Sequence, residues 1–135
     1  MPVHLLIDGY NLLKRMGLDS GDLETARTAF LDRLALYRRE RGTRITVVFD
    51  AYRGFSLDRA NENHKGVEVV FTRQYETADD LIKERIRTRQ TGLVVVSSDR
   101  AIIDAAKACG VPFLTADGLK GMMASSGSAI EEDPR

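Results

Sequence analysis

Five short runs of apolar, largely β-branched residues punctuate the chain: Val3 to Ile7, Ile45 to Phe49, Val67 to Phe71, Leu93 to Val96 and Val111 to Leu114. Within them polar and apolar residues hardly alternate. A strand without alternation is buried on both faces, the condition of a parallel sheet covered by helices. Segments of helical period lie between the runs. Leu23, Ala26, Phe30, Leu34 and Tyr37 recur at spacings of three and four, after an Asp22 cap and before a Gly42 stop. Thr77 to about Arg89 and Ala101 to Cys109 read as two more helices, with helical turns over Leu12 to Met16 and Leu119 to Met123. Strands separated by helices imply right-handed crossovers. The expected fold is α/β: a three-layer α/β/α sandwich with a mostly parallel five-stranded sheet. The polar stretch from Tyr52 to Lys65 is too long to be structureless in a compact domain, and is expected to be a functional loop or a weakly patterned helix.

At 135 residues the chain supports one hydrophobic core. Residues 1–124 form the expected domain, and 125–135, with Ser, Gly, Glu and Pro, are expected to be a disordered tail. The 20 basic and 20 acidic residues cancel, so attraction of the whole molecule to nucleic acid or membranes is not expected, while a local basic patch stays open. One cysteine, Cys109, excludes a disulfide framework and cysteine-rich metal sites. Two histidines, His4 and His64, lie too far apart in sequence for an obvious zinc site. No run of about 18 apolar residues predicts a membrane helix. A reducing cytoplasm is the expected location, and the oligomeric state stays open.

The acids fall at telling places. Ile7 runs into Asp8, Phe49 into Asp50, and Val96 into Ser97, Ser98 and Asp99. In an open parallel sheet all C-terminal strand ends share one edge, where ligands bind. Asp79 and Asp80 fall in the first turn of the helix after the third strand, whose start faces that same edge. Four points of the sequence thus deliver carboxylates to one rim. Like charges there raise one another's proton affinity unless a cation neutralises them, and the natural partner of an oxygen-only cluster is Mg²⁺ or Mn²⁺. Each acid also has a structural use. Asp99 fits a helix cap, Asp8 a turn with Gly9, and Asp80 a capping box with Thr77, which leaves Asp79 for metal. Asp50, Asp80, Ser97 and Ser98 are candidates for a supporting role. Asn11 offers an amide to a water or phosphate oxygen.

The segments Ile7-Asp8-Gly9-Tyr10-Asn11, Val48-Phe49-Asp50-Ala51-Tyr52-Arg53, Phe71-Thr72-Arg73 leading to Glu76-Thr77-Ala78-Asp79, and Val96-Ser97-Ser98-Asp99-Arg100, in this order and spacing, resemble the NYN domains of the PIN-like nuclease superfamily, in their bacterial YacP-like branch. The resemblance implies a parallel sheet with helices on both faces and a divalent-metal site. It also implies single-stranded RNA endonuclease activity, acting in some members on messenger RNA at the ribosome. Carried over by position, Asp8, Asp79 and Asp99 match the metal-binding acids and Asn11 the family's asparagine. Asp50 matches an acid of less certain role, and Asp80 departs from the glutamate of many relatives.

The expected chemistry is phosphodiester hydrolysis by a metal-activated water, since neither histidine belongs to the motif set. Asp8 and Asp99 would ligate a first ion, and Asp79 that ion or a second. An acidic rim repels RNA without cations, and Arg53, Arg59, Lys65, Arg73 and Arg100 are the candidate phosphate contacts. His64 sits in the same basic stretch. Tyr10, Tyr52 and Tyr75 lie near the same loops and could stack on unpaired bases, with core packing as the competing use of each ring. Two rival readings are a non-catalytic RNA-binding or scaffold protein of the same fold, and a metal-dependent small-molecule phosphohydrolase.

Overall fold

In the computed structural model, residues 2–51 and 57–132 are described, with side chains through 125. In chain order the elements are β1 (His4–Asp8), α1 (Gly9–Arg15), α2 (Leu23–Arg41), β2 (Arg44–Phe49), β3 (Ala60–His64), β4 (Val67–Phe71), α3 (Ala78–Thr88), β5 (Leu93–Val96), α4 (Arg100–Cys109), β6 (Phe113–Leu114) and α5 (Ala116–Glu132). The caps read from the sequence form. Asp22 accepts from the Thr25 amide, Thr77 and Asp80 close a reciprocal box at the start of α3, and Gly42 ends α2 in the left-handed conformation.

The sheet has six strands in the order β3-β4-β2-β1-β5-β6. All pairings are parallel except the β3–β4 hairpin. This corrects the expectation of five strands. The overlooked strand, β3, lies inside the stretch expected to be a loop or helix. Its sequence, Ala-Asn-Glu-Asn-His, has no strand propensity and is almost wholly exposed. What makes it a strand is β4 alongside, on a sheet edge that a polar strand can occupy without burying anything. β6 is also shorter than the run from Val111 suggests, and α5 extends well past the single turn expected over Leu119–Met123 into the segment read as a tail.

Two apolar layers sandwich the sheet. On one face Leu12, Leu13, Phe30, Leu34 and Leu119 from α1, α2 and α5 pack on Ile7, Val47 and Phe49. On the other, Leu81, Ile82 and Ile86 of α3 and Ile102 and Ala106 of α4 pack on Leu6, Val48 and Val95. Consecutive residues of one strand thus serve opposite layers, which is why the strands read as unbroken apolar runs. The three-layer expectation holds.

The crossovers leave β1 in both directions, through α1 and α2 toward β2, and through α3 from β4 back to β5. The switch point of the topology therefore lies between β1 and β5, the place where such sheets bind ligands.

Turning out of β1 demands a glycine. A Cβ on Gly9 would stand 2.5 Å from two ring carbons of Phe49 and 2.8 Å from the Val48 carbonyl oxygen. Phe49 cannot retreat easily, since it packs against Tyr10, Phe30 and Phe71 at ring-centroid distances of 4.7, 6.0 and 5.7 Å. Gly9→Ala should lower folding stability by about 1–3 kcal/mol through this overpacking, read as a drop in the urea midpoint at unchanged slope.

Candidate metal centre

Register brings the acids together. Ile7 pairs with Val96 across β1 and β5, so Asp8 and Ser97 emerge side by side. The Ser97 hydroxyl, buried, donates to Asp8 Oδ2 at 2.9 Å and accepts the Asp99 amide at 3.0 Å. One serine thus joins two acids that are far apart in the sequence. Ser98 acts in parallel, with its amide donating to Asn11 Oδ1 at 2.9 Å and its Oγ accepting the Ala116 amide at 3.0 Å. Asn11 and Ser98 thereby tie α1, the β5–α4 loop and the start of α5 together.

The other acids arrive from the neighbouring strand ends. Asp50, just past β2, accepts from the Ala78 amide at the start of α3 through its Oδ1. This contact holds the helix that carries Asp79 against the rim. Asp99 caps α4, its Oδ1 accepting from Ala101 at 2.9 Å and Ile102 at 3.2 Å. Asp80 serves the capping box, bonding the Thr77 amide through Oδ2 at 3.1 Å. Asp79 is different. Its Oδ1 is buried without a hydrogen-bond partner, and the Lys83 ammonium stands 3.2 Å away outside hydrogen-bonding geometry.

Electrostatics record the convergence. The Asp8 carboxyl is pushed up to about 6, first by burial and then by the negative charges of Asp50, Asp99 and Asp79, against the opposing bond from Ser97. All four acids therefore share one field. Among the described residues, no three acidic, imidazole or thiolate side chains stand within common reach of one ion. The donor set fits a hard cation by its chemistry, and its carboxylates would have to draw closer for three of them to share one ion. Each cap or hydroxyl partner occupies one oxygen of its carboxylate, and a carboxylate has lone pairs on both. Asp79 Oδ1 is a buried acceptor with no hydrogen bond and only the Lys83 ammonium beside it, a group that a hard cation would satisfy.

Lys83 was not among the residues the motifs suggested. Its signal was local, an acid and a lysine four positions apart on one helix face. The histidines lie elsewhere. His4 opens β1 at the far end of the sheet and bonds Thr46 at 2.7 Å, and His64 bonds Asp32 of α2 at 2.7 Å.

The expected RNA contacts divide. Arg73, exposed in the turn after β4, and Arg100, exposed at the start of α4, both stand on the rim. Arg59 is taken up internally, bonding Glu76 with two nitrogens and Glu84 at 3.2 Å. Lys65 lies in the hairpin turn that precedes β4, so at the opposite edge of the sheet, paired with Asp32 at 3.0 Å. The Tyr10 ring packs on Phe49 and its hydroxyl accepts from Arg27 at 3.2 Å, which commits it to the core. Tyr52 and Arg53 lie outside the described residues.

A mostly parallel, helix-covered sheet with acids gathered at its switch point defines a mixed α/β domain of the PIN-like class. The crystal structure of Rae1 (YacP) from Bacillus subtilis superimposes with a TM-score of 0.75 at 31% identity, over 100% of this chain and 80% of that one. A variant of the same protein superimposes with a TM-score of 0.77 at 30% identity, over 96% and 80%. In sequence, the uncharacterized protein YacP of Bacillus subtilis (strain 168) is 35% identical over 102 residues, 70% of this chain and 59% of the relative. The chain thus matches about three-fifths of that relative's length. The model of the YacP-like NYN domain matches residues 5–134, and the chain belongs to that family. Domains of this superfamily are generally nucleases and typically use divalent metals. No described helix is long and apolar enough to cross a membrane.

The raised Asp8 carboxyl predicts a stability trade. Its folded value lies above the unfolded one of 3.8, so the folded state binds the proton more tightly. That advantage is present at low pH and is lost as pH rises from about 4 through about 6. Without divalent ions, Asp8→Asn should therefore stabilise the protein at pH 8 by up to about 3 kcal/mol, and the gain should vanish below about pH 4. Urea titrations of both proteins at the two pH values check it.

Proposed function

We propose that the protein is a divalent-metal-dependent endoribonuclease that cleaves single-stranded RNA. The observation that carries this reading is the field around Asp8: three acids from separate segments act on one half-buried carboxyl at the topological switch point. The caps and amide contacts of these acids would serve the fold as well if the acids stood apart, so their crowding gains it nothing. A cation-dependent hydrolase needs them.

Asp8, Asp79 and Asp99 would hold one or two Mg²⁺ or Mn²⁺ ions, which when bound neutralise phosphoryl charge, activate water and assist the leaving oxygen. The chain's own residues do the rest. Ser97 fixes the Asp8 carboxylate and sets the turn that presents Asp99. Asp50 anchors the start of α3 and so the position of Asp79. Asn11 holds the β5–α4 loop through its oxygen and keeps its NH₂ donors for a phosphate oxygen. Arg73 and Arg100 offset the repulsion between the rim and a polyanion. Lys83 offsets the charge of Asp79 and stands ready as a donor to the same phosphate. With zero net charge, RNA affinity should be modest and salt-sensitive. That suits a substrate presented by a larger assembly, and the family resemblance points to messenger RNA on a ribosome in the cytoplasm.

One observation favours a second reading. A lysine on the rim is also what a small-molecule phosphohydrolase requires, and Lys83 supplies it. Against this, such chemistry wants a second acid two residues beyond Asp8, where Tyr10 instead packs into the core.

Incubation of single-stranded RNA with Mg²⁺ should give internal cleavage that chelator abolishes and that Asp8→Asn or Asp79→Asn reduces about a hundredfold or more. Ser97→Ala, which removes the support of Asp8 and Asp99 but no ligand, should lose about 10–100-fold. Cleavage that survives chelation or Asp8→Asn overturns the reading. RNA binding without cleavage favours a scaffold, and turnover of a small phosphoester alone favours the phosphohydrolase.

A further inference from the structure

The turn between β4 and α3 carries an unusual residue. The Glu76 amide bonds the Arg73 carbonyl at 3.0 Å, closing a four-residue turn, and its third residue, Tyr75, has φ of 66°. That position takes glycine or asparagine at little strain, whereas a tyrosine there is crowded against its own backbone. The ring gains no burial in exchange: Tyr75 is 96% exposed. An aromatic side chain in a strained conformation that packs on nothing contributes nothing to folding.

The turn is nonetheless held rigidly. Glu76 bonds the Arg73 amide and is gripped by Arg59, which also reaches Glu84 on α3. Thr72, buried, fixes the start of the turn by accepting the Ala51 amide at 2.9 Å. The next most exposed large apolar residue among those described, Leu57 at 79%, is two positions before Arg59 in the chain. The two most exposed apolar side chains thus lie, in sequence, within two positions of the two members of one ion pair, Arg59 and Glu76. Arg73, in the same turn, is half exposed and adds a guanidinium.

We propose that Tyr75 is a stacking platform for an unpaired base of the strand bound at the aspartate rim. The inference rests on the RNA reading above and adds where a base, rather than a phosphate, is held. The turn lies four positions before Asp79, so a base on the ring belongs to a nucleotide close to the scissile bond. Stacking on an aromatic face is tolerant of base identity and requires a single strand, since paired bases hide their faces. Arg59 acts here as a positioning residue, which explains why a cation in this basic stretch is turned inward rather than offered to phosphate.

Anisotropy of a labelled single-stranded oligoribonucleotide, in EDTA and again with Mg²⁺ on an Asp8→Asn background, reads binding apart from hydrolysis. Tyr75→Ala should weaken binding about tenfold, while Tyr75→Phe, which keeps the face, should stay within about twofold. Tyr75→Gly should weaken binding as alanine does, yet raise the thermal midpoint by releasing the strain. A 2-aminopurine in the strand should be quenched by the unsubstituted protein and by Tyr75→Phe, but not by Tyr75→Ala. Binding and quenching unchanged in Tyr75→Ala, or lost equally in Tyr75→Phe, overturn the inference and leave the RNA reading standing. A protein that binds no single strand before any substitution overturns both.

Discussion

The pairing of β1 with β5 is the constraint on which the rest depends. It sets Ile7 beside Val96 and therefore Asp8 beside Ser97, across a separation of 89 residues in the chain. A slip of one residue would turn Asp8 or Ser97 to the other face of the sheet. The apolar layers on both faces prevent that slip, because Leu6 and Ile7 belong to different layers and neither can change sides. The position of the acids is thus fixed by burial of residues that have no chemistry of their own.

The rim is a place where folding and function pull apart. Burial and three neighbouring acids hold the Asp8 carboxyl at about 6, and Asp79 keeps a buried oxygen with no donor. The first weakens the fold near neutral pH, and the second lacks the hydrogen bond that a buried acceptor ordinarily has. The chain limits the damage locally: Asp99 and Asp80 spend oxygens on helix caps, Asp50 on the Ala78 amide, and Lys83 lies against Asp79. Apart from Lys83, these contacts use backbone donors already required by the helices, so the acids are steadied without being fully neutralised.

Charge on the basic side is allocated with equal economy. Of the candidate cations, Arg59 is spent on building the β4–α3 turn, and Lys65 serves the hairpin at the far edge. Arg73, Lys83 and Arg100 remain at the rim. Tyr10, Phe49, Phe30 and Phe71 form an aromatic floor under the same edge, while Tyr75 is left outside it. The four core rings belong to one apolar layer, whereas the turn that carries Tyr75 reaches neither layer.

Much was legible from local sequence. Periodicity and apolar runs located most helices and strands, and Asp22, Thr77 with Asp80, Asp99 and Gly42 marked their ends, because caps depend on residues three or four positions apart. Strand ends also told which acids would share an edge, since parallel strands all point one way. β3 could not be read, because its polar residues become a strand only through pairing with β4. Nor could the Ser97 bridge between Asp8 and Asp99, the capture of Arg59 by Glu76 and Glu84, or the banishment of Lys65 to the opposite edge. Each of these is decided by which neighbour a side chain meets across the fold. Propensity and spacing act within a few residues, whereas such meetings depend on strand order and register, which only the packed whole determines.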